Sequence, residues 1–154
     1  MRYVICQIEW SRDITIREDD AGNIKKHIHG KLHLRSASHY SSSVYYRNMS
    51  SEEASIELMV QQVCQKAGVA YNASYVKQVN TLKEVRTILF PKMSEYDYAK
   101  KVFDMPEDMR YTNIANSVND YYLKNPHVRK AVRDRLTCAL VVLRELKEGA
   151  KTYD

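Results

Sequence analysis

The chain has 154 residues, with 24 Lys and Arg against 19 Asp and Glu and a formal net charge of +5. This length suits one domain with its own hydrophobic core, and we predict a single domain over 1–154 with a possible helical subdomain over 107–150. No apolar run approaches the roughly 18 residues that a membrane span needs. The three cysteines are far apart, which excludes a disulfide framework, and we expect a cytoplasmic or nuclear protein that is not secreted.

The first forty residues predict extended structure. The segments "RYVICQIEW" and "DITIRE" alternate apolar and polar side chains, which is typical of strands. "DDAGN" at 19–23 is a turn sequence, and "KHIHGKLHLR" alternates again, so a hairpin is predicted. The expected fold class is therefore α+β, with a small antiparallel sheet of N-terminal strands and a hairpin packed on helices, and a helical C-terminal half.

The segment "SSEEASIELMVQQVCQKAG" predicts the first helix. Ser50 and Glu53 form a capping box at its start, and Gly68 suits the left-handed position after its end. Glu52, Glu53 and Glu57 lie in its first turns, where the helix dipole favours anions, so we give them a structural role.

The segments that follow are mostly helical in pattern. "VAYNASYVKQV" is predicted as one strand or a tight hairpin. Helices are then predicted for "NTLKEVRTILF", for "SEYDYAKKVFDM" with Ser94 as its cap, and for "YTNIANSVNDYYLK". A last helix, "PHVRKAVRDRLTCALVVLRELKEG", begins with Asn125 as N-cap and Pro126 at its first position.

A basic stretch suggests the main function. Residues 21–51 contain no carboxylate, and on a strand the residues two apart share one face, so the basic side chains of 25–35 would project together. Basic and hydroxyl groups donate to phosphate oxygens, and tyrosines stack on bases. We therefore predict a small basic intracellular protein that binds the phosphate backbone of nucleic acid, either DNA or RNA, through a His/Lys/Arg strand face. The predicted contacts are Lys25, Lys26, His27, His29, Lys31, His33, Arg35, Tyr40, Tyr45, Tyr46 and Arg47, with Arg129, Lys130 and Arg133 from the last helix.

The stretch "HIHGKLHL" resembles the His-hydrophobic-His motif of the HUH endonucleases, which nick single-stranded DNA. In that family two histidines on a strand hold a divalent metal and a tyrosine attacks the phosphate. The resemblance implies a metal-dependent nuclease with His27 and His29 as metal ligands, and with Tyr75 and Glu9 as the catalytic candidates. Mg²⁺ or Mn²⁺ is the cofactor only in that alternative; otherwise we expect no metal and no other cofactor.

From Tyr3 to Met105 the order of predicted elements is faintly similar to one LAGLIDADG homing-endonuclease domain. In that family a saddle of strands lies in the DNA major groove, which implies DNA contacts from Arg17 and the basic strand. Glu9 is the only carboxylate of the corresponding first segment, "YVICQIEWSR", so the resemblance implies a degenerate domain in which binding survives without cleavage.

A protein-interaction role is the third hypothesis. The basic face could instead dock on an acidic protein surface, as in a regulator of viral or mobile-element type. The apolar stripe of the last helix predicts a possible homodimer through the C-terminal helix, and no membrane partner is expected.

Overall fold

The computed structural model describes residues 6–8, 14–16, 23–36, 48–106 and 109–144, and the side chains of the last three ranges. Its extended segments are two strands of three residues each, β1 (Cys6–Ile8) and β2 (Ile14–Ile16). They pair antiparallel, with Cys6 opposite Ile16. The predicted α+β class with an antiparallel sheet is wrong, because the described residues form a helical protein.

The described ranges contain six helices, which follow one another along the chain. They are α1 (Ile24–Arg35), α2 (Met49–Ala67), α3 (Val76–Leu89), α4 (Glu95–Phe103), α5 (Arg110–Lys124) and α6 (Lys130–Arg144). None of these helices is long and apolar enough to cross a membrane.

The main correction concerns the basic stretch, which is helix α1 and not a strand. The side chain of Asn23 accepts a hydrogen bond from the backbone N–H of Lys26 and so caps the helix. Ile28 and Leu32, four residues apart, pack on an apolar cluster that contains Ile56 of α2. Alternation and helical spacing coincide in this short segment, since residues 28 and 32 share a face under both periods. Because Ile28 and Leu32 pack on α2, the segment forms a helix instead of a strand.

Some of the helix ends predicted from the sequence are correct and others are wrong. Gly68 takes the left-handed conformation at φ 71° after α2, and the side chain of Ser94 caps α4, so both predictions are confirmed. Asn48 instead of Ser50 occupies the N-cap position of α2. The predicted strand or hairpin at 69–79 is wrong, because α3 begins at Val76. Asn125 ends α5 and does not begin α6, which starts at Lys130.

Helix α2 is the centre of the protein. It contacts each of the other five described helices, and every residue from 49 to 61 is buried. The apolar core joins α2 to α3, α4, α5 and α6, and each contributes a fully or almost fully buried side chain. These are Leu58, Leu82, Val102, Ile114 and Leu143. Helices α5 and α6 also contact α3, and the subdomain over 107–150 stays a prediction.

Candidate metal centre

Three glutamates of α2 are buried beside α1. Glu52, Glu53 and Glu57 are only 1%, 3% and 0% exposed. A buried carboxylate is costly unless charges or hydrogen bonds compensate it. The compensation comes largely from one face of α1, because residues four apart on a helix lie on successive turns of the same side. Lys25, His29 and His33 form that face.

Three of these side chains converge on one point, and we call their atoms the ligand triangle. His29 Nε2 lies 2.9 Å from Glu53 Oε1, and His33 Nε2 lies 2.8 Å from the same oxygen. The two Nε2 atoms are 3.1 Å apart. Among the described residues, this is the one group of three His, Cys, Asp or Glu side chains placed closely enough to hold a metal ion.

The opposite ring nitrogens are each held by another carboxylate. His29 Nδ1 lies 2.9 Å from Glu57 Oε1, and His33 Nδ1 lies 2.7 Å from Glu52 Oε2. A carboxylate accepts the N–H at Nδ1, which leaves a lone pair on Nε2. Histidines that bind metals in proteins usually donate their other ring N–H in this way, because the hydrogen bond orients the ring and makes the ligand more basic.

The second oxygen of Glu57 is surrounded by donors. Oε2 accepts hydrogen bonds from Lys25 Nζ at 2.7 Å, from Gln61 Nε2 at 2.8 Å and from the backbone N–H of Ser74 at 3.1 Å. Lys25 also donates to Ser74 Oγ at 3.0 Å. The carboxylate that orients His29 is therefore itself fixed by α1, by α2 and by the segment before α3.

The second oxygen of Glu52 is held by Arg110, which is fully buried. Arg110 Nη1 donates to Glu52 Oε1 at 2.9 Å, and Ser36 Oγ donates to the same oxygen at 2.7 Å. The guanidinium also donates to the carbonyl oxygens of Val102 and Phe103. The carboxylate that orients His33 is thus tied to the end of α4 and the start of α5.

We call the seven charged or titratable side chains of this network the His–Glu cluster. They are Lys25, His29, His33, Glu52, Glu53, Glu57 and Arg110.

The surrounding carboxylates favour the protonated form of both histidines of the His–Glu cluster. Burial lowers the pKa of His33, but the charge of Glu53 and the hydrogen bonds with Glu52 and Glu53 outweigh it and raise that pKa to about 10. Burial also opposes charge on His29, yet its hydrogen bonds with Glu53 and Glu57 raise its pKa above the ordinary value.

The pKa values of the carboxylates shift in the opposite direction. Burial raises the pKa of Glu57, but the hydrogen bond and charge of His29 and the hydrogen bond from Lys25 lower it to about 2. The pKa of Glu53 is also lowered, because the charge of His33 and the hydrogen bonds from both histidines overcome its burial. Both groups stay ionised at neutral pH.

Tyr75 adjoins the His–Glu cluster. Its ring lies nearly parallel to that of His29, with the centroids 6.1 Å apart. Its backbone is left-handed at φ 49°, a conformation that a bulky side chain rarely adopts. The structure therefore brings this candidate nucleophile beside one of the histidines; its catalytic role stays a prediction.

The helix separates the basic residues that a strand would have aligned. Lys25, His29 and His33 point into the His–Glu cluster, whereas Lys31 and Arg35 are exposed. Lys26 and His27 are half-buried, and Arg129, Lys130 and Arg133 are exposed near the start of α6. The remaining predicted site residues, Glu9, Tyr40, Tyr45, Tyr46 and Arg47, lie outside the described residues.

Histidine pairing also differs from the HUH-like interpretation. His27 and His29 are two residues apart, which places them about 200° apart around a helix axis. One metal ion held by both requires the strand geometry, and that geometry is absent from α1. His29 and His33 are the pair whose ring nitrogens meet.

Four members of the His–Glu cluster were not predicted as site residues: Glu52, Glu53, Glu57 and Arg110. A usable signal was present, since His29 and His33 are four apart and Glu53 and Glu57 repeat that spacing on the next helix. Two such pairs on facing helices can meet across the interface. Nothing comparable in the sequence indicates Arg110.

Comparison of the chain with protein-family models, with curated proteins and with solved structures gives no match.

Proposed function

We propose that this protein binds one divalent first-row transition-metal ion through His29, His33 and Glu53. The observation that carries the proposal is the ligand triangle, whose three atoms lie 2.8–3.1 Å apart. When both Nδ1 atoms donate to carboxylates and neither Nε2 carries a proton, the triangle consists of three lone-pair acceptors. Acceptors this close require a shared cation, which is either a proton or a metal ion.

The donor set favours a transition metal. Imidazole nitrogens suit zinc, iron, cobalt and nickel, whereas calcium and magnesium prefer oxygen ligands throughout. The carboxylates behind both rings supply the outer shell that typically accompanies such ligands. A purely structural ion-pair network is the competing interpretation, and it needs no metal to neutralise the cluster at neutral pH.

Metal titration separates these two interpretations. The purified protein is stripped with a chelator, and binding of Zn²⁺ and Co²⁺ is measured by isothermal titration calorimetry at pH 7. We expect one ion per chain with a dissociation constant at or below the micromolar range. His29→Ala, His33→Ala and Glu53→Gln should each weaken binding at least tenfold, because each removes or neutralises one ligand.

Two histidine variants serve as controls. His27→Ala lies on α1 but outside the ligand triangle, and His127→Ala is exposed before α6; both should bind metal like the wild type. Far-UV circular dichroism checks that each variant is folded. The proposal fails if the wild type binds neither ion at a concentration of about 100 µM. Unchanged affinity in all three ligand variants would also overturn it.

Nucleic-acid binding stays a second proposal. It is supported by the exposure of Arg129, Lys130 and Arg133 around the start of α6, and by the Arg133 guanidinium, which lies 4.5 Å from the centre of the Tyr122 ring. Phosphate contacts of this type weaken with salt. Fluorescence anisotropy with single-stranded DNA, duplex DNA and RNA should show salt-dependent binding that Arg129→Ala with Arg133→Ala reduces. Binding unaffected by that pair of changes would count against this surface.

We also propose a homodimer and an intracellular location. A homodimer through the C-terminal helix is supported by Val141, which is exposed on α6, and light scattering after gel filtration tests it. An intracellular, reducing compartment is supported by the free thiols Cys64 and Cys138, of which Cys138 is exposed.

A further inference from the structure

We infer that Tyr75 is a positioning residue of the proposed metal site. Its ring fixes the plane of the His29 imidazole and so directs the lone pair of Nε2 at the ion. This inference rests on the proposed function and deepens it by one residue. Tyr75 acts through the histidine and is not itself a metal ligand.

The backbone of Tyr75 is the first observation. At φ 49° and ψ 41° it is left-handed, and among the described residues no other non-glycine residue has a positive φ. A bulky side chain adopts this conformation at a cost, whereas glycine adopts it freely. Strain of this kind persists only where the surrounding structure imposes it, and it is concentrated at functional sites. The side chain of Tyr75 supplies a reason for keeping a bulky residue here.

That side chain lies against the least buried of the three proposed ligands. The His29 side chain is 12% exposed, compared with 6% for His33 and 4% for Glu53. The planes of the tyrosine and His29 rings differ by only 11°, and their centroids are 6.1 Å apart, within the range of offset aromatic stacking. Tyr75 is itself buried and belongs to the apolar core, so its ring is held by close packing.

The plane of the His29 ring matters because the lone pair of Nε2 lies in that plane. Glu57 holds the ring at its Nδ1 edge, and a hydrogen bond at one edge still allows the ring to tilt. Tilting would turn the lone pair away from the point where His33 and Glu53 meet it. A second ring packed parallel to the imidazole opposes this tilt, and ligand geometry depends on such supporting contacts.

The segment before Tyr75 is attached to the same cluster. Lys25 Nζ donates to the carbonyl oxygen of Asn72 at 2.6 Å and to Ser74 Oγ at 3.0 Å. The backbone N–H of Ser74 donates to Glu57 Oε2 at 3.1 Å. Helix α3 begins immediately after Tyr75. The strained residue is therefore held from both sides, which places its ring beside His29.

The test measures Co²⁺ binding to the full chain by calorimetry and by visible absorption, which reports ligand geometry. Tyr75→Leu should weaken binding at least about tenfold and change the cobalt bands, because no planar ring then faces His29. Tyr75→Gly removes the ring but keeps the left-handed backbone without strain, so the same losses are expected. Tyr75→Phe keeps the ring and should match the wild type in both measurements.

Tyr98→Leu is the matched control. It makes the same chemical change at another buried tyrosine of the same apolar core, whose ring lies 5.4 Å from that of Phe90. Urea denaturation should show a lower free energy of unfolding for this variant, since a core side chain is truncated. Its cobalt spectrum and its affinity for Co²⁺ should nevertheless equal those of the wild type.

The outcomes distinguish the two proposals. Wild-type affinity and spectrum in Tyr75→Leu or in Tyr75→Gly would overturn the role of Tyr75 and leave metal binding intact. An equal loss in Tyr98→Leu would also overturn it, since core packing in general would then be the cause. A loss in Tyr75→Phe as large as in Tyr75→Leu would do the same, because the hydroxyl and not the ring would be responsible. If the wild type binds neither Co²⁺ nor Zn²⁺, the proposed function itself fails.

Discussion

His29 and His33 lie on successive turns of α1 with their Nε2 atoms 3.1 Å apart, while their Nδ1 atoms face two different carboxylates. Such an approach of two imidazole rings requires a proton or a metal between them, and the oxygen of Glu53 completes the same pocket of lone pairs. The position of both rings therefore depends on the packing of α1 against α2, since Glu57 and Glu52 belong to α2.

Loss of Arg110 should destabilise the protein strongly. Arg110→Met leaves the carboxylate of Glu52 buried without its arginine, and removal of one partner from a buried pair costs about 3–5 kcal/mol. Urea denaturation of the metal-free protein measures this as a lower midpoint. The double variant with Glu52→Gln should recover part of the loss, because the side chain that Arg110 no longer contacts is then uncharged.

An exposed pair provides the control for this prediction. Lys130→Met breaks the ion pair with Asp134 on the surface of α6, and no measurable change in the urea midpoint is expected. Equal midpoints for Arg110→Met and the wild type would contradict the role assigned to the buried arginine.

Neutralising the carboxylate behind His29 should weaken metal binding without abolishing it. Glu57→Gln keeps an oxygen that can accept the Nδ1 hydrogen but removes its charge, and changes of this type cost about 10–100-fold in metal affinity. Calorimetric titration with Zn²⁺ should show one site per chain at reduced affinity. Glu84→Gln, on the half-exposed surface of α3, is the matched control. An affinity equal to that of the wild type would show that Glu57 does not tune the site.

The stability of the metal-free protein should be greatest between about pH 4.5 and 6.5. The pKa of His33 is raised from 6.5 to about 10, so its contribution is complete below pH 6.5 and is lost as the pH rises toward 10. The pKa of Glu57 is lowered from 4.5 to about 2, so its contribution is complete above pH 4.5 and is lost as the pH falls toward 2.

Thermal unfolding in chelator across pH 3–10 measures this profile. In the His33→Gln variant the loss of stability between pH 6.5 and 10 should become shallower. The loss of stability below pH 4.5 should stay the same. If stability falls equally steeply above pH 6.5 in the variant and in the wild type, His33 does not cause this loss.

Local signals predicted several helix ends correctly because each depends on a few neighbouring residues. Gly68 alone can take the left-handed conformation after α2 at little cost, and Ser94 places a side-chain oxygen over the first turn of α4. The segment "SSEEASIELMVQQVCQKAG" likewise predicted α2 correctly.

The secondary structure of segment 24–35 could not be predicted from local sequence alone. Its apolar residues at 28, 32 and 34 satisfy strand alternation, and those at 28 and 32 also satisfy helical spacing, so the sequence alone admitted both structures. The basic residues suggested an exposed face. Only the neighbouring helix α2, with three buried glutamates, makes it favourable to bury Lys25, His29 and His33 instead.

The sequence by itself therefore determined the composition, the helix α2 and the four-residue spacing of His29 and His33. Tertiary structure decided which of them meet. Glu53 is 20 residues from His33, and Arg110 is 58 residues from Glu52, so no local pattern relates them. A buried charge is stable only beside its partner, and the packing of α1, α2 and α5 supplies those partners together.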